Sequence, residues 1–164
     1  MSPAHRDALI ALHGDERVGA TLGGVMTPAA VDEHIAQVQG QWQEHGFGWC
    51  VFLERGTGDF VARGGPHRTH VAGNDEVEVG WTVTPDRWNQ GHVTELGAAS
   101  IRLAFEALRL PDVVSSTLPH NHASRRAMEK LGFVFERDTD YKGRPHVLFR
   151  LKAASARSTS SSLV

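Results

Sequence analysis

The stretch Glu76-Val77-Glu78-Val79-Gly80-Trp81-Thr82-Val83, and the segment Trp88-Asn89-Gln90-Gly91-His92-Val93-Thr94 that follows it, decide the fold. The first run alternates acidic and apolar side chains with the two-residue period of a strand, so Glu76 and Glu78 share one face, and Pro85 interrupts it. Glu76, nearer the edge, is expected to be solvated. After the second run a helix is predicted over 94–108. Its apolar residues fall on two sides, Leu96, Ala99, Leu103 and Ala107 on one and Gly97, Ile101, Phe105 and Leu108 on the other, so it should lie largely covered against a sheet. A strand predicted over 113–118 closes the unit. Such a strand-helix-strand crossover is right-handed and sets its two strands parallel.

Upstream, 27–45 opens with Thr27-Pro28, a capping residue followed by proline at the first helical position. It carries Val31, Ile35, Val38 and Trp42 on one stripe and ends at Gly46. A shorter helix is predicted over 3–12, with Leu22-Gly23-Gly24 as a free connection. Strand-like runs at 47–54 and 59–64 flank Arg55-Gly56-Thr57-Gly58 and should pair antiparallel, followed by a polar stretch containing Gly73-Asn74-Asp75. Downstream, a helix over 121–131 stops at Gly132, and strands over 133–141 and 146–151 flank the turn Lys142-Gly143-Arg144-Pro145. The tail over 153–164, rich in Ser and Ala, is expected to be disordered. The order of elements predicts one mixed α/β domain over 1–152.

Composition narrows the function. With 164 residues, 40% of them hydrophobic, the chain can bury one ordinary core. A net charge of -2 offers no basic footprint for nucleic acid. The single cysteine, Cys50, excludes an internal disulfide framework and fits a packed strand in a reducing compartment. No apolar run is long enough to span a membrane and the N-terminus lacks a signal-peptide core, so a cytoplasmic location is expected.

A glycine-containing loop between a strand and a helix N-terminus is a ready anion site, because backbone N–H groups point outward and the helix dipole adds positive potential. Asn89-Gln90-Gly91-His92-Val93-Thr94 has that context, which by itself admits any phosphate compound. Neither Gly-x-Gly-x-x-Gly nor Gly-x-x-x-x-Gly-Lys-Ser/Thr occurs, so dinucleotide and nucleoside-triphosphate binding lose their usual fingerprints. The close histidine pairs His67/His70 and His120/His122 lack further ligands at metal spacing and are expected on the surface or in loops, so no metal is predicted. Of the four tryptophans, Trp42, Trp49 and Trp81 are expected in the core, and Trp88 beside the loop.

Three stretches together carry a resemblance. Glu78-Val79-Gly80-Trp81, Trp88-Asn89-Gln90-Gly91-His92-Val93-Thr94-Glu95 and Asn121-His122-Ala123-Ser124-Arg125-Arg126-Ala127-Met128-Glu129-Lys130-Leu131-Gly132-Phe133 match, in order and spacing, the GNAT superfamily of acyl-CoA-dependent N-acyltransferases. The chain is most similar to the branch containing the ribosomal-protein N-terminal acetyltransferases, and Trp42-Gln43-Glu44-His45-Gly46-Phe47-Gly48 resembles that branch too.

The resemblance implies a GNAT-like fold, a central, mostly antiparallel sheet with one splayed parallel strand pair. It also implies acetyl-CoA as co-substrate. The coenzyme A pyrophosphate would rest on the backbone amides of Asn89, Gln90, Gly91, His92, Val93 and Thr94, beside Trp88. The pantetheine would run between the strands 76–83 and 113–118 and pair with the backbone near Val83. A main-chain donor on strand 76–83 would polarise the thioester carbonyl. Asn121 and Ser124 would face the thiol end, with Ser124 able to protonate the departing thiolate. Glu78 is the candidate general base, because an amine acceptor is mostly protonated at neutral pH and must lose a proton before it attacks. A structural carboxylate is the alternative role for Glu78.

Three positions depart from the family pattern. Val93 stands where a small residue is usual, Met128 stands where many members have an acid tyrosine, and the chain begins where the family has already completed a first strand, which is therefore absent or replaced. A catalytically silent coenzyme A sensor and an enzyme using a larger donor such as succinyl-CoA stay open as alternatives. The acceptor, a protein N-terminus or a small-molecule amine, would bind in a pocket built by the helix 27–45, the loop before it and the segment around Tyr141-Lys142-Gly143. Both a monomer and a homodimer are open.

Overall fold

In the computed structural model, which describes residues 1–153, six strands form one sheet: β1 (Cys50–Leu53), β2 (Phe60–Val71), β3 (Asn74–Val83), β4 (Asp112–Thr117), β5 (Val134–Tyr141) and β6 (Arg144–Lys152). Their spatial order is β1-β2-β3-β4-β6-β5. Every neighbouring pair is antiparallel except β3 with β4, which is parallel as expected for the crossover. That parallel pairing registers only Glu78 against Val114, and beyond it the strands part.

The two faces of the sheet differ in chemistry. Val77 and Val79 turn to the side of α4 (His92–Arg102) and α5 (His122–Lys130), where they join Ile101, Val113, Met128, Leu131, Phe133 and Phe149 in the main core. The other side carries Glu76, Glu78 and Thr82 of β3, with Arg63, His67 and Thr69 opposite them on β2. Helices α1 (Arg6–Gly14) and α3 (Pro28–His45) cover this side, with Leu9, Val31 and Ile35 forming a small apolar cluster beside Phe60. Helix α3 obeys its signals. Thr27 accepts a hydrogen bond from the Ala30 amide (3.2 Å), Pro28 opens the first turn, and Gly46 ends it in the left-handed region at φ 72°. Trp42, expected in the core, is instead exposed at the end of the stripe, where its indole donates to the Trp49 carbonyl.

Four further expectations need correction. The polar stretch after 64 is strand, because β2 continues to Val71 and turns into β3 through Ala72 and Gly73, both at positive φ (54° and 81°). Second, a further helix, α2 (Glu16–Leu22), occupies the presumed connection, capped by Asp15 and ended by Gly23 at φ 86°. Third, Glu76 is not solvated. Arg150 reaches it at 2.7 Å, reaches Asp112 at 2.6 Å and also bonds Glu136, so three carboxylates share one guanidinium and raise its pKa, Glu76 most of all. Fourth, His67 is mostly covered within β2 rather than lying on the surface or in a loop. Ahead of α3 the described residues form only helical elements. The tail expected to be disordered lies outside the described residues except for Ala153, whose amide donates to the Pro111 carbonyl.

Candidate active site

Where β3 and β4 part, a cavity of about 440 Å³ opens. Its walls are Gly80, Trp81, Thr82 and Val83 of β3 and Ser115, Ser116 and Thr117 of β4. Its mouth is the loop before α4, and α5 and α2 close the sides. The loop is shaped for a close backbone approach. Asn89 and Gly91 both adopt positive φ (60° and 88°), and Gly91 is the N-cap of α4. The first-turn amides of a helix have no partner within it, which leaves those of His92, Val93 and Thr94 available at the cavity these residues line. The Trp88 indole donates to the Val83 carbonyl (2.8 Å), tying the loop to the end of β3.

Most of the predicted residues gather here. Val83, Trp88, Asn89, Gly91, His92, Val93, Thr94, Asn121 and Ser124 all line this cavity. Gln90 does not, since its side chain turns away to donate to the Asp86 carbonyl. Val93 packs partly against Val61, Ala62, Val83 and Leu96, so much of its bulk goes into the core. Asn121 caps α5 by accepting the Ser124 amide (3.1 Å), which fixes Ser124 on the first turn facing the cavity. Met128 is buried in the core and supplies no acid.

Basic residues missed in the sequence also line the cavity. Arg87 does so while paired with Glu54 at 3.2 Å, and Lys130 projects from α5. A helical signal did mark Lys130: with Ala123 and Ala127 it forms an i, i+4, i+7 face. The cavity therefore joins a helix N-terminus, two cationic side chains and a strand gap. This set fits a long ligand carrying phosphates at one end, as coenzyme A does.

A second cavity, of about 510 Å³, lies on the polar side of the sheet. It is lined by His34, Gln37, Val38 and Gln41 of α3, by Trp49, by β2 from His67 to His70, and by Asp140, Tyr141 and Lys142. Tyr141 spans it, its hydroxyl 3.0 Å from Thr69 Oγ1. The expected contributions of α3 and the Tyr141 segment are present, Trp49, expected in the core, stands in its wall, and His67 is an unforeseen part of it.

Glu78 lines neither cavity. Its carboxylate is buried, with Oε1 accepting the Ser116 amide (2.9 Å) and hydroxyl (2.7 Å) and Oε2 3.5 Å from His67 Nε2. Burial raises its pKa, opposed by the two Ser116 hydrogen bonds. Around it the imidazoles are held neutral. Burial, aided by the nearby Arg63 cation, pushes His13 and His67 down to about 3 and His34 down to about 4. Arg63 is itself buried and pushed down to about 9, its guanidinium 3.6 Å from the Trp49 ring centroid and its Nε donating to His13 Nε2 at 3.3 Å. Among the described residues, no group of three or more His, Cys, Asp or Glu side chains is arranged to hold a metal ion, and no helix is long and apolar enough to cross a membrane.

The fold and this cavity define a mixed α/β protein with a ligand crevice at the diverging ends of one parallel strand pair. The chain belongs to the GNAT acetyltransferase family, whose Acetyltransferase (GNAT) domain model matches residues 1–134. Over 58 residues it is 40% identical to FsC-acetyl coenzyme A-N(2)-transacetylase of Aspergillus fumigatus, a stretch that spans 35% of this chain and 25% of that protein. The acetyltransferase from Agrobacterium tumefaciens str. C58 shares the fold with a TM-score of 0.82 at 21% identity, over 92% of this chain and 86% of that one. Mycobacterium smegmatis RimJ in complex with CoA-disulfide does so at 0.73 and 18% identity, over 99% of this chain and 86% of that one.

Proposed function

We propose that the protein is an N-acetyltransferase that moves the acetyl group of acetyl-CoA to a primary amine, by direct attack within a ternary complex. The observation that carries this reading is a pair of cavities on either side of Gly80, which lines one and would touch Trp49 and His67 of the other if it carried a side chain. One, with the α4 N-terminus at its mouth, suits the donor, and the other, on the polar side of the sheet, suits an acceptor. The Aspergillus relative is named for N-transacetylation from acetyl-CoA, and the Mycobacterium structure holds a CoA disulfide in the same fold, which supports the donor. Acetyl-CoA brings an activated thioester.

The chain's own residues supply the rest. The amides from Asn89 to Thr94, with Arg87 and Lys130, hold the phosphates, and Val83 and its strand pair with the pantetheine. A backbone N–H of β3 stabilises the charge that develops on the thioester oxygen. Glu78 acts as general base for the amine's proton and releases it to solvent, and Ser124, oriented by Asn121, gives a proton to the departing sulfur. The acceptor is a protein N-terminus or a small-molecule amine, and we place the activity in the cytoplasm.

The test incubates the full chain with acetyl-CoA and a panel of peptides and small amines, following free thiol and the mass of the product. Amine-dependent thiol release with an acetylated product is expected. Binding of acetyl-CoA without release toward any amine would establish a silent sensor instead. A clear preference for succinyl-CoA would replace the donor.

A further inference from the structure

Beyond β1 the outer edge of β2 has no strand beside it. The pairing with β1 ends at Cys50 against Gly64, whereas β2 runs on to Val71. On its other side β2 closes onto β3 at the pair Val71 and Asn74, through a two-residue turn. A pair flanking such a turn exchanges its backbone hydrogen bonds, and these alternate along the strand. The odd-numbered residues of β2 therefore bond toward β3, as the Thr84 amide donating to the Val61 carbonyl bears out. The even-numbered ones, Pro66, Arg68 and His70, turn their backbone groups outward. Pro66 has no N–H to leave open, which suits it to an edge. Arg68 presents both an N–H and a C=O.

Gln41 of α3 meets both. Its Nε2 donates to the Arg68 carbonyl at 2.9 Å, and its Oε1 accepts from the Arg68 amide at 3.3 Å. A carboxamide holds a donor and an acceptor side by side, as a backbone does, so Gln41 stands in for a neighbouring strand at this one residue. Among the described residues these are the only hydrogen bonds that join α3 to β2.

Helix α3 and strand β2 are two facing walls of the acceptor cavity. His34, Gln37, Val38 and Gln41 line it at i, i+3, i+4 and i+7 on one face of α3, and β2 lines it from His67 to His70. The first half of α3 is fastened by packing, with Val31 and Ile35 buried beside Leu9. Past Val38 the helix buries no further apolar side chain. Its links to the rest of the fold there are the two bonds of Gln41 and the Trp42 indole on the Trp49 carbonyl.

We propose that Gln41 is a positioning residue for the acceptor amine. By pinning the second half of α3 to the open edge of β2 it sets the width of the acceptor cavity, and with it the affinity for the amine. A gap widened by about 1 Å forfeits up to half of the dispersion attraction across it. Gln41 does not line the donor cavity, so acetyl-CoA is held independently of it. The proposal rests on the N-acetyltransferase reading, in which this cavity receives the amine.

The experiment compares Gln41→Leu, which keeps the bulk and removes both bonds, with the wild-type chain. For the amine that the wild type acetylates fastest, the variant's KM should rise about tenfold, the worth of an ordinary hydrogen bond. Its kcat and its KM for acetyl-CoA should stay close to those of the wild type, the pattern of binding lost equally from ground and transition states. A residue that only stabilised the fold would lower the active fraction, and hence kcat, instead. A wild-type KM for the amine overturns the proposal and leaves the acetyltransferase reading intact, whereas a wild-type chain inert toward every amine overturns both. Amide hydrogen exchange reads the pin without activity. The Arg68 amide should be protected in the wild-type chain although no strand pairs with it there, and should exchange on the order of tenfold faster in Gln41→Leu, while Thr69, paired with Glu76, keeps its protection. Rapid exchange at Arg68 in the wild-type chain overturns the pin even if the variant fails to fold.

Discussion

Oε1 of Glu78 accepts both the amide and the hydroxyl of Ser116, at 2.9 and 2.7 Å, across the point where β3 and β4 begin to separate. Parallel pairing stops at Glu78 and Val114, so the next amide on β4 would be left without a strand partner. A side chain from β3 supplies one. The carboxylate that we propose as general base is therefore also the brace that lets the strands part without orphaning a backbone donor.

Ser116→Ala keeps the amide bond and removes the hydroxyl one. Because hydrogen bonds to the carboxylate favour its ionised form, their partial loss should raise the Glu78 pKa further above its ordinary range. The acid limb of the pH–rate profile should move to higher pH, and stability should fall by about 1–2 kcal/mol. A profile that stays in place would separate Glu78 from the rate-limiting proton transfer.

Glu78→Gln tests the same group through stability. A carboxyl whose folded pKa is raised contributes stability that is fully present below its unfolded pKa and is lost as pH rises through the folded one. The wild-type chain should lose stability on that account between acid and neutral pH, and the variant should not. The difference in unfolding midpoint, variant minus wild type, should grow from pH 4 to pH 8, as read by thermal denaturation in a common buffer series. Turnover of the variant should be depressed most at low pH, where the amine is fully protonated.

The buried histidines work in the opposite sense. His34 is held down to about 4, so its neutral form favours folding above its ordinary pKa and that contribution is lost as pH falls toward 4. At pH 5 protonation of His34 in the unfolded chain should cost on the order of 1–2 kcal/mol. His34→Gln should remove that share of the acid sensitivity. Urea midpoints at pH 7 and pH 5 measure it, and an equal drop for both proteins would place the sensitivity elsewhere.

The elements around the donor cavity were legible because their signals are local. Alternation marks β3, Thr-Pro and Gly mark the ends of α3, and Asn121 caps α5. The acceptor side was hidden because its signals are long-range. Gly64-Gly65-Pro66 looks like a break in a strand, yet a side chain on Gly64 would sit 2.6 Å from the Gly80 carbonyl, so the glycine is what allows β2 to lie against β3. His67 becomes part of a site only through its register opposite Glu78, which the two-residue turn at Ala72-Gly73 sets. Helix α2 was missed since only Val18 and Gly19 are buried, too few to form a periodic stripe, although Val18, Thr21 and Leu22 all line the donor cavity.

Gly91 has room but not conformation for a side chain. A Cβ there would meet nothing within 4 Å, while its φ of 88° strains any other residue. Gly91→Ala should destabilise the chain by about 1 kcal/mol. Gly91→Val should in addition place bulk where the phosphates approach and weaken acetyl-CoA binding at least tenfold by calorimetry. Unchanged affinity in the valine variant would move the pyrophosphate away from this loop.

Gly80 offers the reverse case, with conformation allowed and space just sufficient. A methyl group would touch Trp49 and His67 at ordinary contact distances of 3.4 and 3.7 Å, so Gly80→Ala should fold with a melting temperature close to that of the wild type. The same methyl would stand between the donor cavity and the Trp49 and His67 side chains of the other cavity, where on the proposed function amine and thioester meet at about 3 Å. Turnover should fall at least tenfold while acetyl-CoA still binds. A variant of normal stability and normal turnover would show that the two substrates meet somewhere other than at Gly80.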